Sequence, residues 1–180
     1  MKKVTLFLIA ILSCISMILV NGCSNNSNNE KIVGTYYAKV SSTTMGNYLQ
    51  EVIITKEKDS YYLEAANWMY ELNTKTDTYE PNRYPMQKQE IQIKDNKFTA
   101  TTYINTKTVY DIKENTITGL RLDNPDKTLT YKKSTDVPQE FIKEAETEHQ
   151  KEQDIQNSRF PNRKAFSIDS SKLQSTLKTK

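Results

Sequence analysis

The sequence predicts a mainly β protein: a small antiparallel up-and-down barrel or sandwich, followed by one C-terminal helix and a basic tail. Three observations carry this. From Ile32 to Lys133 the chain is rich in Thr, Tyr, Ile and Val, residues that suit a pleated, half-buried surface. Within that span apolar side chains recur at every second position, which gives each strand one buried and one wet face. Between the runs lie short polar connections, "KDNK" (94–97), "KEN" (113–115) and "DNPDK" (123–127), whose residues favour tight turns.

Strands are expected at 32–40, 48–56, 60–72, 89–94, 97–105, 108–113, 116–122 and 128–133. The second sets Val52 and Ile54 against Glu51, which puts Glu51 on the wet face. Trp68, Tyr70 and Leu72 share a parity and a packed face, so Trp68 reads as core rather than as a ligand contact. Phe98, Ala100, Thr102 and Ile104 share another parity, as do Tyr110 with Ile112 and Leu120 with Leu122. Strands joined this closely form a sheet that closes, or nearly closes, because closure removes unpaired edges.

Residues 73–88, "NTKTDTYEPNRYPMQK", are the longest interruption of the strand pattern. Pro81, Pro85 and the Asn82-Arg83 pair argue against regular structure there. Two readings stand: a plain solvated crossover, or a functional loop at the barrel mouth. In the second, Tyr79, Arg83 and Tyr84 are the candidate ligand-binding residues.

The β domain, 31–135, gives way to a helical segment, 136–157. Asp136-Val137-Pro138-Gln139 combines a capping acid, a proline in the first turn and a glutamine three residues after the acid. The helix is expected over about 137–156. Its apolar residues are Val137, Phe141, Ile142, Ala145 and Ile155, mostly in the first two turns, so these turns pack on the barrel while the rest projects into solvent. On that reading His149 is an exposed surface residue.

Charge divides unevenly along this part of the chain. Residues 138–156 carry Lys143 and Lys151 against Glu140, Glu144, Glu146, Glu148, Glu152 and Asp154. The tail, 158–180, carries Arg159, Arg163, Lys164, Lys172, Lys178 and Lys180 against Asp169. It reads as a disordered, solvated segment. Contact with anionic lipid or wall polymer is a second reading, and folding back on the acidic helix a third. Phe160, Phe166, Ile168, Leu173 and Leu177 supply apolar groups for docking.

The first residues carry an address. "MKK" is followed by an uncharged apolar block, residues 4–20, as in a secretory signal. As a helix that block spans roughly 25 Å at ~1.5 Å per residue, short for a permanent span of a ~30 Å hydrocarbon core. Val20-Asn21-Gly22-Cys23 then places an aliphatic residue at −3, a small one at −1 and cysteine at the first mature position. This resembles the lipobox of bacterial lipoproteins. The resemblance implies that residues 1–22 are a signal peptide recognised through Val20, Asn21 and Gly22, and that Cys23 takes diacylglycerol and an N-acyl chain such as palmitate. Ile11-Leu12-Ser13-Cys14 fits the same pattern, but a cut there strands "ISMILV" on the mature end. An uncleaved signal anchor would leave the domain on the same side of the membrane. Residues 23–30 then form the lipidated cysteine and a flexible tether, "SNNSNN". The location is extracytoplasmic: the outer face of the cell membrane, or the outer membrane in a two-membrane source.

Composition narrows the chemistry. The whole chain has 25 basic and 22 acidic residues, and loss of Lys2 and Lys3 with the signal leaves it close to neutral, so no nucleic-acid partner is expected. Of the two cysteines one leaves and the other takes lipid, which excludes disulfides, a cysteine nucleophile and thiolate metal sites. The single histidine supports neither a Ser-His-Asp triad nor a histidine zinc site. Asp123 and Asp126 flank Asn124-Pro125, which reads as turn chemistry rather than a calcium loop. No catalytic residue, metal or cofactor beyond the covalent lipid is expected. The eleven tyrosines suit sugars or amphipathic ligands, and equally suit half-buried strands.

"KIVGTYYAKV" opens the domain with a Gly-x-aromatic strand and "KTLTYKK" closes it before the helix, a layout similar to small lipocalin-like domains of bacterial lipoproteins. Tyr36 stands where that family usually has tryptophan. The resemblance implies an aromatic plug at the closed barrel end and a cup for apolar or amphipathic ligands. The functional reading is a non-enzymatic, membrane-anchored binding or envelope-accessory module, with the bilayer, a small amphipathic ligand or an envelope protein as partners. The alternatives are recruitment of a partner through the helix and basic tail, and a carboxylate-dependent surface hydrolase. If Cys23 is the acceptor, Cys23→Ala abolishes metabolic fatty-acid labelling while Cys14→Ala retains it; labelling that survives in the Cys23 variant overturns the assignment.

Overall fold

The computed structural model describes residues 30–42, 46–161, 165–171 and 173. The signal segment, Val20-Asn21-Gly22-Cys23 and the tether up to residue 29 lie outside them, as do Arg163, Lys164, Lys172, Leu177, Lys178 and Lys180. The chain divides into two units at Val33, and the fold that follows belongs to the second, Val33–Lys180. Among the described residues no helix is long and apolar enough to cross a membrane.

The strands are β1 (Gly34–Ser42), β2 (Gly46–Glu57), β3 (Ser60–Asn73), β4 (Thr78–Pro85), β5 (Gln89–Ile91), β6 (Ile93–Lys94), β7 (Lys97–Thr101), β8 (Lys107–Lys113), β9 (Thr116–Leu120), β10 (Thr128–Lys133) and β11 (Ser167–Ile168). Helix α1 (Gln139–Arg159) follows β10. The ladder runs β11-β4-β3-β2-β1-β10-β9-β8-β7-β6, with β5 also paired to β3. The protein is thus mainly β with one C-terminal helix, as the sequence predicts.

The ladder order is open, yet the sheet curls on itself. Gln89–Ile91 pairs with β3 and Ile93–Lys94 with β7, so one extended segment, interrupted at Gln92, touches both sides. Gln89 adds a link: its Nε2 donates to the Thr101 carbonyl at 2.9 Å, and its Oε1 accepts the Thr101 N–H at 2.7 Å. That is the bonding a strand neighbour would offer. The turn between β6 and β7 has Asp95 and Asn96 both at positive φ, the geometry that lets a two-residue hairpin match strand twist.

Inward parity carries the barrel core. Tyr36, Val52, Ile54, Leu63, Phe98, Tyr110, Ile117 and Tyr131 are essentially fully buried. Phe98 and Tyr110 stack at 5.0 Å between centroids. Gly119 makes this stack fit, because a Cβ there would lie 2.2 Å from the Tyr110 ring. A second core forms on the outer face of β1–β3, where Tyr37, Leu49, Trp68 and the flanking Tyr70 meet Val137, Phe141, Ile142 and Leu173. Trp68 is core, as its parity predicts.

Several expectations give way to the structure. Residues 78–85 are not a loop but strand β4, paired with β3 from Asn73↔Thr78 to Ala66↔Pro85. Pro81 and Pro85 are four residues apart and so share an orientation; on an outer strand both can face away from the ladder without costing it a bond. Glu51 is not on a wet face but 1% exposed, because the outer face of β2 is covered as well as the inner.

The helix differs in its start and in its burial. It begins at Gln139 with Pro138 at the cap position and no side-chain capping bond. Asp136 lies too far upstream to cap, and its carboxylate accepts from Thr135 instead. The second half stays docked: His149 and Gln153 are buried, not solvated. The His149 ring lies 4.8 Å from that of Tyr79, and its Nε2 is 3.1 Å from the Phe166 carbonyl.

The described part of the tail is an ordered strap. β11 adds parallel to β4 opposite Thr78 and Tyr79, and Tyr70 donates its hydroxyl proton to Ser170 Oγ at 2.8 Å. Leu173 fills the outer core with none of its surface exposed. Leu173→Ala is therefore expected to lower unfolding free energy by about 2–5 kcal/mol in urea titration; a value near zero would show that the strap does not hold the helix.

Candidate ligand site

At one end of the curled sheet the inward-facing side chains turn polar. Tyr48 and Gln50 come from β2, Asn67 from β3, Tyr131 from β10, and Arg121 and Asp123 from the segment after β9. Gln50 Nε2 donates to Asn67 Oδ1 at 2.9 Å, and Gln50 Oε1 accepts from the Tyr131 hydroxyl and the Leu122 N–H. Asn67 Nδ2 donates in turn to Asp123 Oδ2 at 3.3 Å. The network is continuous, with every buried amide engaged, the condition under which such networks stabilise rather than weaken a core.

Arg121 is its charged centre, only 5% exposed. Its Nε and Nη2 donate to the two oxygens of Asp123, its Nη2 donates to Tyr48 Oη at 2.6 Å, and its Nη1 lies 3.2 Å from Asp126 Oδ1. The Tyr48 hydroxyl donates to Asp123. Burial alone would raise the Asp123 carboxyl, but hydrogen bonds from Arg121, Tyr48 and Gln50 outweigh it and hold the group below its ordinary value. Burial, then the bond to Asp123, pushes the Tyr48 phenol up, so it stays protonated and donating. At neutral pH the floor therefore holds a fixed carboxylate acceptor and no proton-ready acid. The backbone closes the turn above it, with the Arg121 N–H donating to the Lys127 carbonyl at 3.0 Å.

Over this floor opens a cleft of about 660 Å³. Its walls include Met69, Tyr84, Pro85, Met86 and Tyr103. Tyr103 is 78% exposed and Tyr84 41%. The Tyr103 N–H donates to the Leu122 carbonyl at 2.7 Å, which ties the tip after β7 to the polar segment. Below the floor the barrel is filled by Tyr36, Tyr110, Tyr131 and Phe98. The deep cup that the lipocalin-like resemblance implies is thus occupied by side chains, and the open space lies at the rim.

The three ligand candidates from the sequence separate onto two faces. Tyr84 lines the cleft. Arg83 faces the outer core, where its Nε donates to Glu51 Oε2 at 2.8 Å and its Nη2 to Glu64 Oε1 at 2.7 Å. Tyr79 packs against His149 and Phe166. Asp123 and Asp126 are turn residues joined through Arg121, and no cluster of three or more metal-ligating side chains occurs among the described residues. Arg121 and Asn67 were not legible as site residues, although a charged side chain between Leu120 and Leu122 was a usable signal.

No protein-family model matches the chain, and neither a curated protein nor a solved structure matches it. The depressed Asp123 group has a consequence for acid stability. The unfolded chain binds the proton more readily than the folded one, so the contribution is complete above about pH 4 and is lost as pH falls through the folded value. Asp123→Asn is expected to cost roughly 1–3 kcal/mol at pH 7 and to flatten the decline in stability below pH ~4, read by denaturant titration across pH.

Proposed function

We propose that the chain is a lipid-anchored envelope protein, held through Cys23 on the outer face of a cell membrane, or in the outer membrane where the source has two. Its β domain is a non-catalytic binding module that receives its ligand in the cleft over Arg121 and Asp123. One observation carries the binding role: a fully bonded polar floor lies directly beneath exposed aromatic side chains at the sheet's open end. Pre-set polar groups beside aromatic and thioether surfaces fix a ligand's orientation at little reorganisation cost. The anchor rests on the Val20-Asn21-Gly22-Cys23 motif and the polar tether after it.

The hydrolase reading draws little support from the cleft, where Asp123 is committed to Arg121 and held ionised. Partner recruitment through the helix draws on Ile155 and Phe160, exposed at 52% and 58% at its far end. Native mass spectrometry of the protein gently extracted from its own membrane separates the readings. A diacylglyceryl mass on Cys23 with a non-covalent small ligand, lost in Tyr103→Ala, is the expected result. A stoichiometric protein partner lost in Ile155→Glu/Phe160→Glu but retained in Tyr103→Ala would replace the cleft with the helix as the functional surface.

A further inference from the structure

The walls of the cleft indicate what kind of molecule it takes. Arg121 and Lys127 are balanced by Asp123 and Asp126, so the lining has no net charge with which to select an anion or a cation. Asp126 keeps 43% of its side chain open, and Ser41, Ser42 and Asn124 line the same cleft. These groups offer hydroxyl-sized donors and acceptors in fixed positions. Opposite them are flat aromatic and thioether surfaces from Tyr84, Tyr103, Met69 and Met86.

A ligand that matches both walls is polar around its edge and weakly apolar on its face. A pyranose ring has that character: equatorial hydroxyls project outward, while the axial C–H bonds form a patch that lies against the electron-rich face of an aromatic ring. An acyl chain fits less well. The interior space it would need is occupied by Tyr36, Tyr110, Tyr131 and Phe98, and the floor would leave its polar groups facing hydrocarbon.

A second depression of about 460 Å³ adjoins the first and shares Pro85, Met86 and Tyr103 with it. Gln87, Gln89 and Asn105 lie along it. The exposed Tyr103 ring thus stands on a ridge between two hollows, each with its own amide or carboxylate groups. Two hollows across a shared ridge suit a chain of repeated units rather than one compact molecule.

We infer that the cleft binds a neutral oligosaccharide, with sugar rings seated on both sides of Tyr103 and hydroxyls bonded by Asp126 and Asn124. This rests on the reading of the β domain as a binding module. The test uses the lipidated mature protein in phospholipid nanodiscs, applied to an array of neutral, phosphorylated and carboxylated oligosaccharides. Cellotetraose, maltotetraose, chitotetraose and oleate are then titrated calorimetrically. Binding of a neutral oligosaccharide, weakened roughly fivefold or more by Tyr103→Ala with the melting temperature unchanged, is the expected result. Tyr84→Ala gives a second, independent reading from the other wall.

Exclusive binding of phosphorylated or carboxylated glycans, or neutral binding indifferent to both variants, overturns the inference. Oleate bound in place of sugars, and released by the same variants, overturns it while sparing the binding module. No ligand of any of these kinds overturns both.

Discussion

Strand β2 is buried on both faces, and two adjacent polar residues in its middle, Gln50 and Glu51, point in opposite directions with almost no exposure. Each must find partners in the protein, because an unpaired amide or carboxylate at that depth costs several kcal/mol. Gln50 faces inward and is satisfied by Asn67, Tyr131 and the Leu122 N–H, which draws β3, β10 and the segment after β9 to one point. Glu51 faces outward and is satisfied by Arg83 and, at 3.5 Å, by the Tyr37 hydroxyl. Gln50 therefore sets the floor of the cleft, and Glu51 requires a strand that delivers an arginine.

That strand is β4, the element hardest to recognise in the sequence. Proline counts against a strand because it cannot donate to a ladder, and two in eight residues argued for a loop. What single-sequence reading lacks is the knowledge that both prolines fall on the same parity of an outer strand. Alternation made β7 to β9 legible, with turn residues such as Asp95-Asn96 between strands, whereas β1 to β3 were legible from their content of Tyr, Val, Ile and Thr. Burial on two faces is less legible, since it erases the alternation that marks a half-wet strand. Glu51 was misplaced for that reason. His149 was misplaced because its covering comes from Tyr79 and the strap near Phe166, both remote in sequence.

The candidate site shows the same division. Tyr84 was a candidate only through the reading of residues 73–88 as a functional loop, and although that segment is a strand, Tyr84 lines the cleft. Arg83, its neighbour, faces the other way by the period-two rule, so adjacency in sequence means opposite faces on a strand. Arg121 and Asp123 are separated by one residue and share a face, which lets one guanidinium engage one carboxylate through two bonds. Their meeting with Tyr48, from the far end of β2's ladder with β1, depends on the curl of the sheet and has no local signature.

The interior tyrosines Tyr36, Tyr48, Tyr110 and Tyr131 follow from these constraints. A curled sheet this small has room inside for side chains and little else, and large rings fill it economically. Phenylalanine would fill nearly the same volume but leave Gln50 and Asp123 without the donors they receive from Tyr131 and Tyr48. Tyrosine supplies bulk at the ring and a proton at the tip. The tips of Tyr48 and Tyr131 join the polar network, while Tyr110 donates to the Leu120 carbonyl beside it. The same residue type on the rim, at Tyr84 and Tyr103, has no interior to fill and presents its face to solvent instead. One side chain thus builds both the plug that excludes a deep ligand cup and the walls of the shallow cleft above it. A curled sheet plugged by hydroxyl-bearing rings holds a polar floor, and an apolar plug would leave Gln50 and Asp123 without two of their donors.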